Sequence, residues 1–296
     1  MSSRFLTLMQ REWMQHHRGW LMLMFIPVGL FLLILPFGEV HLDEKIPPMP
    51  LAAVALMATA AVVFMLSYAG AMFQLPGLAR RDRQDRSIEF WLSLPASHSE
   101  SIGATVLMHA FLIPLMALAV GAGLGLLSAA AMVVKVYGFA ALAEPSWTSL
   151  VLAALVVLAR GAVGVLLMTL WLAPLFMALM AASAWLKRWG VPVLIGGVLI
   201  LGGVLKEVYD NRIVFELLQS QFLGAGSALL GDPGGLRPLE SAQPELSGEF
   251  VKLVAQWAWH DIQVTLGQLF SVHFIGGLLL AAACFGLLVL KRRQGR

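Results

Sequence analysis

The densest run of charged residues in the chain lies between two long apolar runs, within ARRDRQDRSIEFWLSLPAS at residues 79–97. After the arginine- and aspartate-rich part, Ile88, Trp91 and Leu92 follow the i, i+3, i+4 spacing that places side chains on one face of a helix. Pro95 ends that helix, because proline disrupts a continuing helix. A short amphipathic helix of this kind binds either a membrane surface or a groove in another protein. The residues alone leave both alternatives open.

The sequence lacks the short motifs that accompany common catalytic chemistry. It contains no Gly-Lys dipeptide, so we predict no phosphate-binding loop for ATP, and it contains neither HExxH nor GxSxG. The single cysteine, Cys284, lies in an apolar run and is typical of a small core residue. His16 and His17 are neighbours and do not share a helix face, which argues against a metal-binding pair. We therefore expect no enzymatic activity, metal site or cofactor in this chain.

Ionisable residues are almost absent from the apolar runs. Arg160 stands at the start of the fourth run, and His109 and His273 lie within the third and the sixth. We expect Arg160 either to extend to the outer membrane interface or to line a translocation path. The histidines are expected to pack at helix interfaces. An ion-coupled carrier usually needs buried acids or histidine relays. The scarcity of ionisable residues in the apolar runs therefore disfavours that class of protein.

The composition indicates a multi-pass membrane protein. Of the 296 residues, 59% are hydrophobic and 12% are charged, and the mean hydropathy is +0.82, whereas a soluble domain has about 25% charged residues. A membrane span needs about 20 apolar residues. The uncharged runs predict an all-α fold with six transmembrane helices at 20–38, 51–75, 102–134, 148–186 with an outer extension, 190–205 and 266–290.

The distribution of charge predicts the orientation of these spans. Most of the 20 Lys and Arg residues fall on the cytoplasmic side if both termini lie in the cytoplasm. Residues 1–18 carry Phe5, Met9 and Trp13 four apart, which predicts an interfacial helix on the inner leaflet. Residues 206–261 form the only large polar region and predict a small external helical cap, which is a candidate surface for a periplasmic partner.

Small residues recur every four positions in the third span, at Ala117, Gly121 and Gly125. Such a face lets two helices approach closely. It suits packing within the bundle, a dimer seam or, together with Arg160, a translocation path, and the residues alone do not separate these alternatives.

The chain resembles the permease subunits of ABC-2-type transporters, in particular a bacterial subgroup. DRSIEFWLSLPAS at 85–97 is similar to the stretch DRS-I-x-F-W-x-SLP-x-S of that subgroup. LWLAPLFMALMAASAWLKR at 170–188 is similar to its WxAP…SAW…R stretch at the fourth span. Relatives often carry lysine where this chain has Leu92 and Gly103. The resemblance covers most of the chain except 206–261.

The resemblance implies a complex of two permeases, a homodimer by default, with two separate ATPase subunits that bind ATP and Mg. Residues 80–95, within the cytoplasmic region 78–97, would be the coupling helix seated in a groove of the ATPase. The implied coupling residues are Arg83, Asp85, Arg86, Ile88, Glu89, Phe90, Trp91, Leu92, Leu94 and Pro95. Charge pairs would set the register, and the aromatic and aliphatic side chains would supply the buried contact.

The resulting hypothesis is the membrane subunit of an ATP-driven exporter in the bacterial cytoplasmic membrane, with lipid and protein partners and no nucleic acid. The substrate stays open, as does force transmission without passage of a solute. Alternatives from other classes are a membrane scaffold, an intramembrane enzyme that is not coupled to ATP, and an ion-coupled secondary carrier.

Overall fold

The computed structural model describes residues 3–40, 46–84, 97–232, 234 and 248–294. Within these ranges the regular structure is helical throughout. The α-helices are α1 Ser3–Ile34, α2 Pro48–Gln84, α3 His98–Val106, α4 Ile113–Tyr137, α5 Trp147–Leu186, α6 Gly190–Tyr209, α7 Ile213–Leu229, α8 Gly248–Gly267 and α9 Val272–Arg293. A π-helical segment, Leu107–Leu112, joins α3 to α4, and short 3₁₀ turns lie at Phe139–Ala143, Lys187–Trp189 and Gln268–Phe270.

Five segments of the described chain are long and apolar enough to cross a membrane. They are Arg4–Ile34, Pro48–Arg81, His98–Tyr137, Trp147–Tyr209 and Val272–Arg293. This arrangement is that of a multi-pass membrane protein. The sequence predicts six spans because it divides the fourth of these segments into two, and the count of six and the N-in/C-in orientation stay predictions.

The long fourth segment contains a chain reversal. Lys187 has a positive φ of 57°, which stops α5. Gly190 then lies against the backbone of Ala182 and Ser183, where a Cβ atom would not fit. Residues eight positions apart touch only if the chain turns back, so α6 begins beside the last turn of α5 and is a separate helix.

The predicted interfacial helix at 1–18 and the predicted first span at 20–38 form one continuous helix, α1. Its buried side recurs every four residues at Leu8, Glu12, Trp20, Met24 and Val28. The predicted apolar side of Phe5, Met9 and Trp13 is only half-buried.

The small-residue face of α4 packs inside the bundle against α2. Ala117 is fully buried. A Cβ atom on Gly121 would lie 3.0 Å from the Ala60 Cα, and one on Gly125 would lie 2.7 Å from the Leu56 carbonyl oxygen. These three positions are occupied by a neighbour in the same chain. The contacts are those of packing within the bundle, which was one of the sequence alternatives.

Helix α5 is the central element for the second half of the chain, and it contacts α7, α8 and α9. Gly224 of α7 lies against the indole of Trp171, in the middle of the predicted fourth span. Ala225 and Ala228 are buried beside it. Within the predicted cap at 206–261, α7 therefore packs closely along α5, and its small residues allow this contact. The external position of the cap stays a prediction.

Substitution of Gly125 by alanine should loosen the contact between α2 and α4. The added methyl group would meet the Leu56 backbone, which has no rotamer to relieve the overlap, so we expect a loss of about 1–3 kcal/mol in stability. The matched control is Gly123→Ala on the same helix, where a Cβ atom meets nothing within 4 Å. That variant should keep or slightly raise stability, by up to about 1 kcal/mol. Unfolding in mixed micelles with rising denaturing-detergent content compares the two, and equal midpoints would contradict the packing.

Candidate functional site

Most of the predicted coupling residues lie outside the described part of the chain. This applies to Asp85, Arg86, Ile88, Glu89, Phe90, Trp91, Leu92, Leu94 and Pro95. Arg83 belongs to the last turn of α2. The structure describes the two flanks of this stretch, which are the end of α2 and the beginning of α3.

Both flanks contact one buried carboxylate. Glu12 of α1 has 0% exposure. Arg81, near the end of α2, donates to both of its oxygens at 2.9 and 3.2 Å. Thr105 of α3 donates to it at 3.1 Å, and the neighbouring Arg11 also binds it. With His109, whose Nε2 lies 3.4 Å from Oε2, these five residues are called the Glu12 node.

The local structure of each helix explains how the node is assembled. Glu12 lies on the buried side of α1, one helical repeat after Leu8. Thr105 is in the last turn of α3, and its hydroxyl also contacts the Ser101 carbonyl oxygen. His109 is in the π-helical segment and is fully buried. A π-helical turn adds a residue to the normal repeat and is frequent at functional sites, because it re-aims the side chains around it.

Two residues of the node, Glu12 and His109, and the neighbouring His16 carry metal-ligating atoms. One atom each from Glu12, His16 and His109 lies within 4.8 Å of the other two. The His16 ring also meets the His109 ring edge-on, with centroids 4.9 Å apart. However, two guanidinium groups already occupy the carboxylate, and a divalent cation would lie beside their positive charges. The arrangement therefore favours a hydrogen-bonded ion-pair network over a metal centre.

The first residue described after the coupling stretch starts α3. Ser97 accepts a hydrogen bond from the Glu100 amide at 3.2 Å, and the Glu100 carboxylate accepts one from the Ser97 amide at 2.9 Å. This reciprocal capping box satisfies amide groups that a helix start leaves unpaired. The serine of the LPAS sequence thus has a definite structural role, which is to fix where α3 begins.

Replacement of Glu12 by glutamine should weaken the junction of α1, α2 and α3. Charge-assisted hydrogen bonds are stronger than neutral ones, and we expect a loss of about 1–3 kcal/mol in stability because the partners are mostly buried. Glu207→Gln is the control, since Glu207 pairs with Lys206 while its side chain is 74% exposed. Such an exposed pair contributes about 0–1 kcal/mol. Equal midpoints for the two variants in detergent unfolding would rule out a stabilising node.

A second buried charge cluster lies in the N-terminal half of α5, around Arg160. Arg160 and Asp261 of α8 have 2% and 0% exposure. The Arg160 Nε donates to Asp261 Oδ2 at 2.6 Å, and Nη2 donates to Thr265 at 3.1 Å. Both terminal nitrogens also bind the Ala228 carbonyl oxygen at 3.1 Å. Arg160 therefore joins α5 to α7 and α8.

The C-terminal carbonyl groups of α7 explain why this cluster contains an arginine. The last carbonyl groups of a helix have no partner within it and carry the negative end of its dipole. Arg160 supplies donors and positive charge at that point. Gly164 leaves room for the contact, because a Cβ atom there would lie 2.9 Å from the Ala228 oxygen. The result is a satisfied ion pair in a largely apolar surrounding.

Sequence reasoning did not identify Glu12, Arg81, Thr105, Asp261 or Thr265 as site residues. A four-residue series was present in α1, in which Glu12 is the charged member between Leu8 and Trp20. On α8 the buried positions Val254, Ala258, Asp261 and Thr265 follow a helical repeat. In both helices, a charged residue at a position that the helical repeat places among apolar residues could have indicated a buried site. Of the two span histidines, His109 is buried, whereas the side chain of His273 is exposed.

The pair between Arg160 and Asp261 can be tested with a double-mutant cycle. Arg160→Met leaves a buried carboxylate without its cation and should cost about 3–5 kcal/mol. The double variant Arg160→Met/Asp261→Leu should recover part of that loss, because no buried charge remains. Lys252→Met, on an exposed position of α8, should change stability by less than about 0.5 kcal/mol. Strictly additive losses in the cycle would contradict a coupled pair.

In comparisons with known proteins, no family model matches the chain, and neither a curated protein nor a solved structure is similar to it.

Proposed function

We propose that the chain is the membrane-spanning subunit of an ATP-driven, ABC-2-type exporter, and that a separate ATPase subunit acts on it through residues 80–95. The proposal places two copies of the chain with two ATPase subunits in a bacterial cytoplasmic membrane. ATP and Mg would be bound by the partner. The resemblance of 85–97 and 170–188 supports this family, and the described helices supply a reason why residues 80–95 could transmit force.

The observation that carries the proposal is the position of the Glu12 node on both sides of the stretch. Arg81 precedes residues 85–96 by one helical turn, and Thr105 follows them by about two. Both side chains bind the same carboxylate on α1. A force applied to residues 85–96 would therefore be transmitted to α1, α2 and α3 together.

The packing beyond the node supports the same interpretation. Helix α2 is held close to α4 at Gly121 and Gly125, where backbone meets backbone. Closely packed helices transmit displacement because protein interiors have low compressibility. In the proposed mechanism, closure of the ATPase dimer would move α2 and α4 together relative to α5. A scaffold that is not coupled to ATP would have no need of this load path.

The test is co-purification in mild detergent from native cells, with the intact protein and a Trp91→Asp variant. We expect a nucleotide-binding subunit to copurify with the intact protein and to be lost from the variant. An aromatic anchor at such a joint commonly contributes about 2 kcal/mol or more, and a buried carboxylate adds a desolvation cost.

Trp189→Asp is the matched control, because Trp189 is 61% exposed in the turn between α5 and α6. This variant should retain the partner. Absence of any ATPase subunit with the intact protein would reject the proposal. Loss of the partner from both variants would move the joint away from residues 80–95.

A further inference from the structure

A cavity of about 420 Å³ lies between the N-terminal halves of α2 and α5. Leu118 and Ala122 of α4 also line it, as do Phe250, Val254 and Trp257 of α8. Sites for small molecules are commonly apolar and measure roughly 300–1,000 Å³. The cavity is therefore large enough for a ligand, and it is separate from the Glu12 node.

The mouth of the cavity is on the lateral surface of an apolar helix. Met57 and Met65 of α2 line it and are 48% and 58% exposed. Both belong to the candidate membrane span Pro48–Arg81. Hydrocarbon chains of the bilayer are the molecules present at that depth. Methionine side chains adapt readily to flexible apolar ligands.

The charge at the edge of the cavity disfavours an ionic ligand. Arg160 belongs to the lining, but its nitrogens donate to Asp261, Thr265 and the Ala228 carbonyl oxygen. An anionic group would have to displace Asp261, and a cationic group would lie beside the guanidinium. The cavity thus suits an uncharged molecule.

One residue of the cavity lining carries a hydrogen-bond donor without a partner among the described residues. Trp257 lines the cavity, and its indole Nε1 is buried without a hydrogen-bond partner among the described residues. Buried donors are normally paired. A single acceptor oxygen on a ligand, such as a hydroxyl or an ester carbonyl, would pair it.

We propose that this cavity binds a neutral long-chain amphiphile from the membrane, with its hydrocarbon chain between α2 and α5 and an uncharged acceptor oxygen at Trp257. The inference depends on the membrane setting of the helices and not on an ATPase partner. Its test and the co-purification above can therefore fail independently.

The experiment uses the full-length protein in detergent and a long-chain fatty alcohol that carries a photoactivatable diazirine, with peptide mapping after illumination. We expect labelling to concentrate on α2 and α5 peptides that line the cavity. Ala61→Trp fills the mouth and should reduce this labelling by about tenfold, which corresponds to loss of the favourable burial. Ala58→Trp, on an exposed position of the same helix outside the lining, should leave it unchanged.

Two further comparisons test the polar half of the proposal. Trp257→Phe keeps the aromatic ring and removes the donor, so it should weaken labelling by about fivefold, the equivalent of one hydrogen bond. The corresponding fatty acid probe, used at a pH where it is ionised, should label at least about tenfold less than the alcohol. Equal labelling by acid and alcohol, labelling insensitive to Ala61→Trp, or crosslinks to a second copy of the chain would each overturn the proposal.

Discussion

Because the helices of this protein are apolar on most sides, burial of apolar surface cannot decide which helix lies beside which. Lipid tails are as apolar as leucine, so neighbours in a membrane are selected by close packing and by polar groups that need a partner. In this chain the glycine contacts between α2 and α4 meet the first requirement. The Glu12 node and the Arg160–Asp261 pair meet the second, and together these contacts select the neighbours of α1, α2, α5 and α8.

The two charge clusters solve the same physical problem with opposite signs. At Glu12 a carboxylate from one helix is surrounded by donors from α2 and α3. At Arg160 a guanidinium from α5 is surrounded by acceptors from α7 and α8. In both cases the buried charge costs free energy unless each partner is in place. Each cluster therefore opposes displacement of the helices that supply its partners, more strongly than apolar contact alone would.

Much of the helical framework could be predicted from the sequence, because the length of an uncharged apolar run is a property of one segment. Cys284 likewise is buried as its apolar surroundings indicate. The packing of α7 against α5 could not be predicted in this way. It depends on Gly224 meeting Trp171, and these residues are 53 positions apart. Glu12 and Asp261 were missed for the same reason, since a buried charge is explained only by partners on other helices.

Helix α2 connects the features that the proposed function and the proposed ligand site require. Near its C-terminal end, Arg81 binds Glu12; in its N-terminal half, Leu56 and Ala60 meet the glycines of α4. The same N-terminal half lines the cavity opposite α5. Since α2 cannot separate from α4 without breaking backbone contacts, a displacement at Arg81 would be carried to the cavity wall by a pair of helices. In the proposed function, the volume between α2 and α5 would then change with the position of residues 80–95, and a proposed ATP-driven motion would have a direct route to a molecule in the cavity.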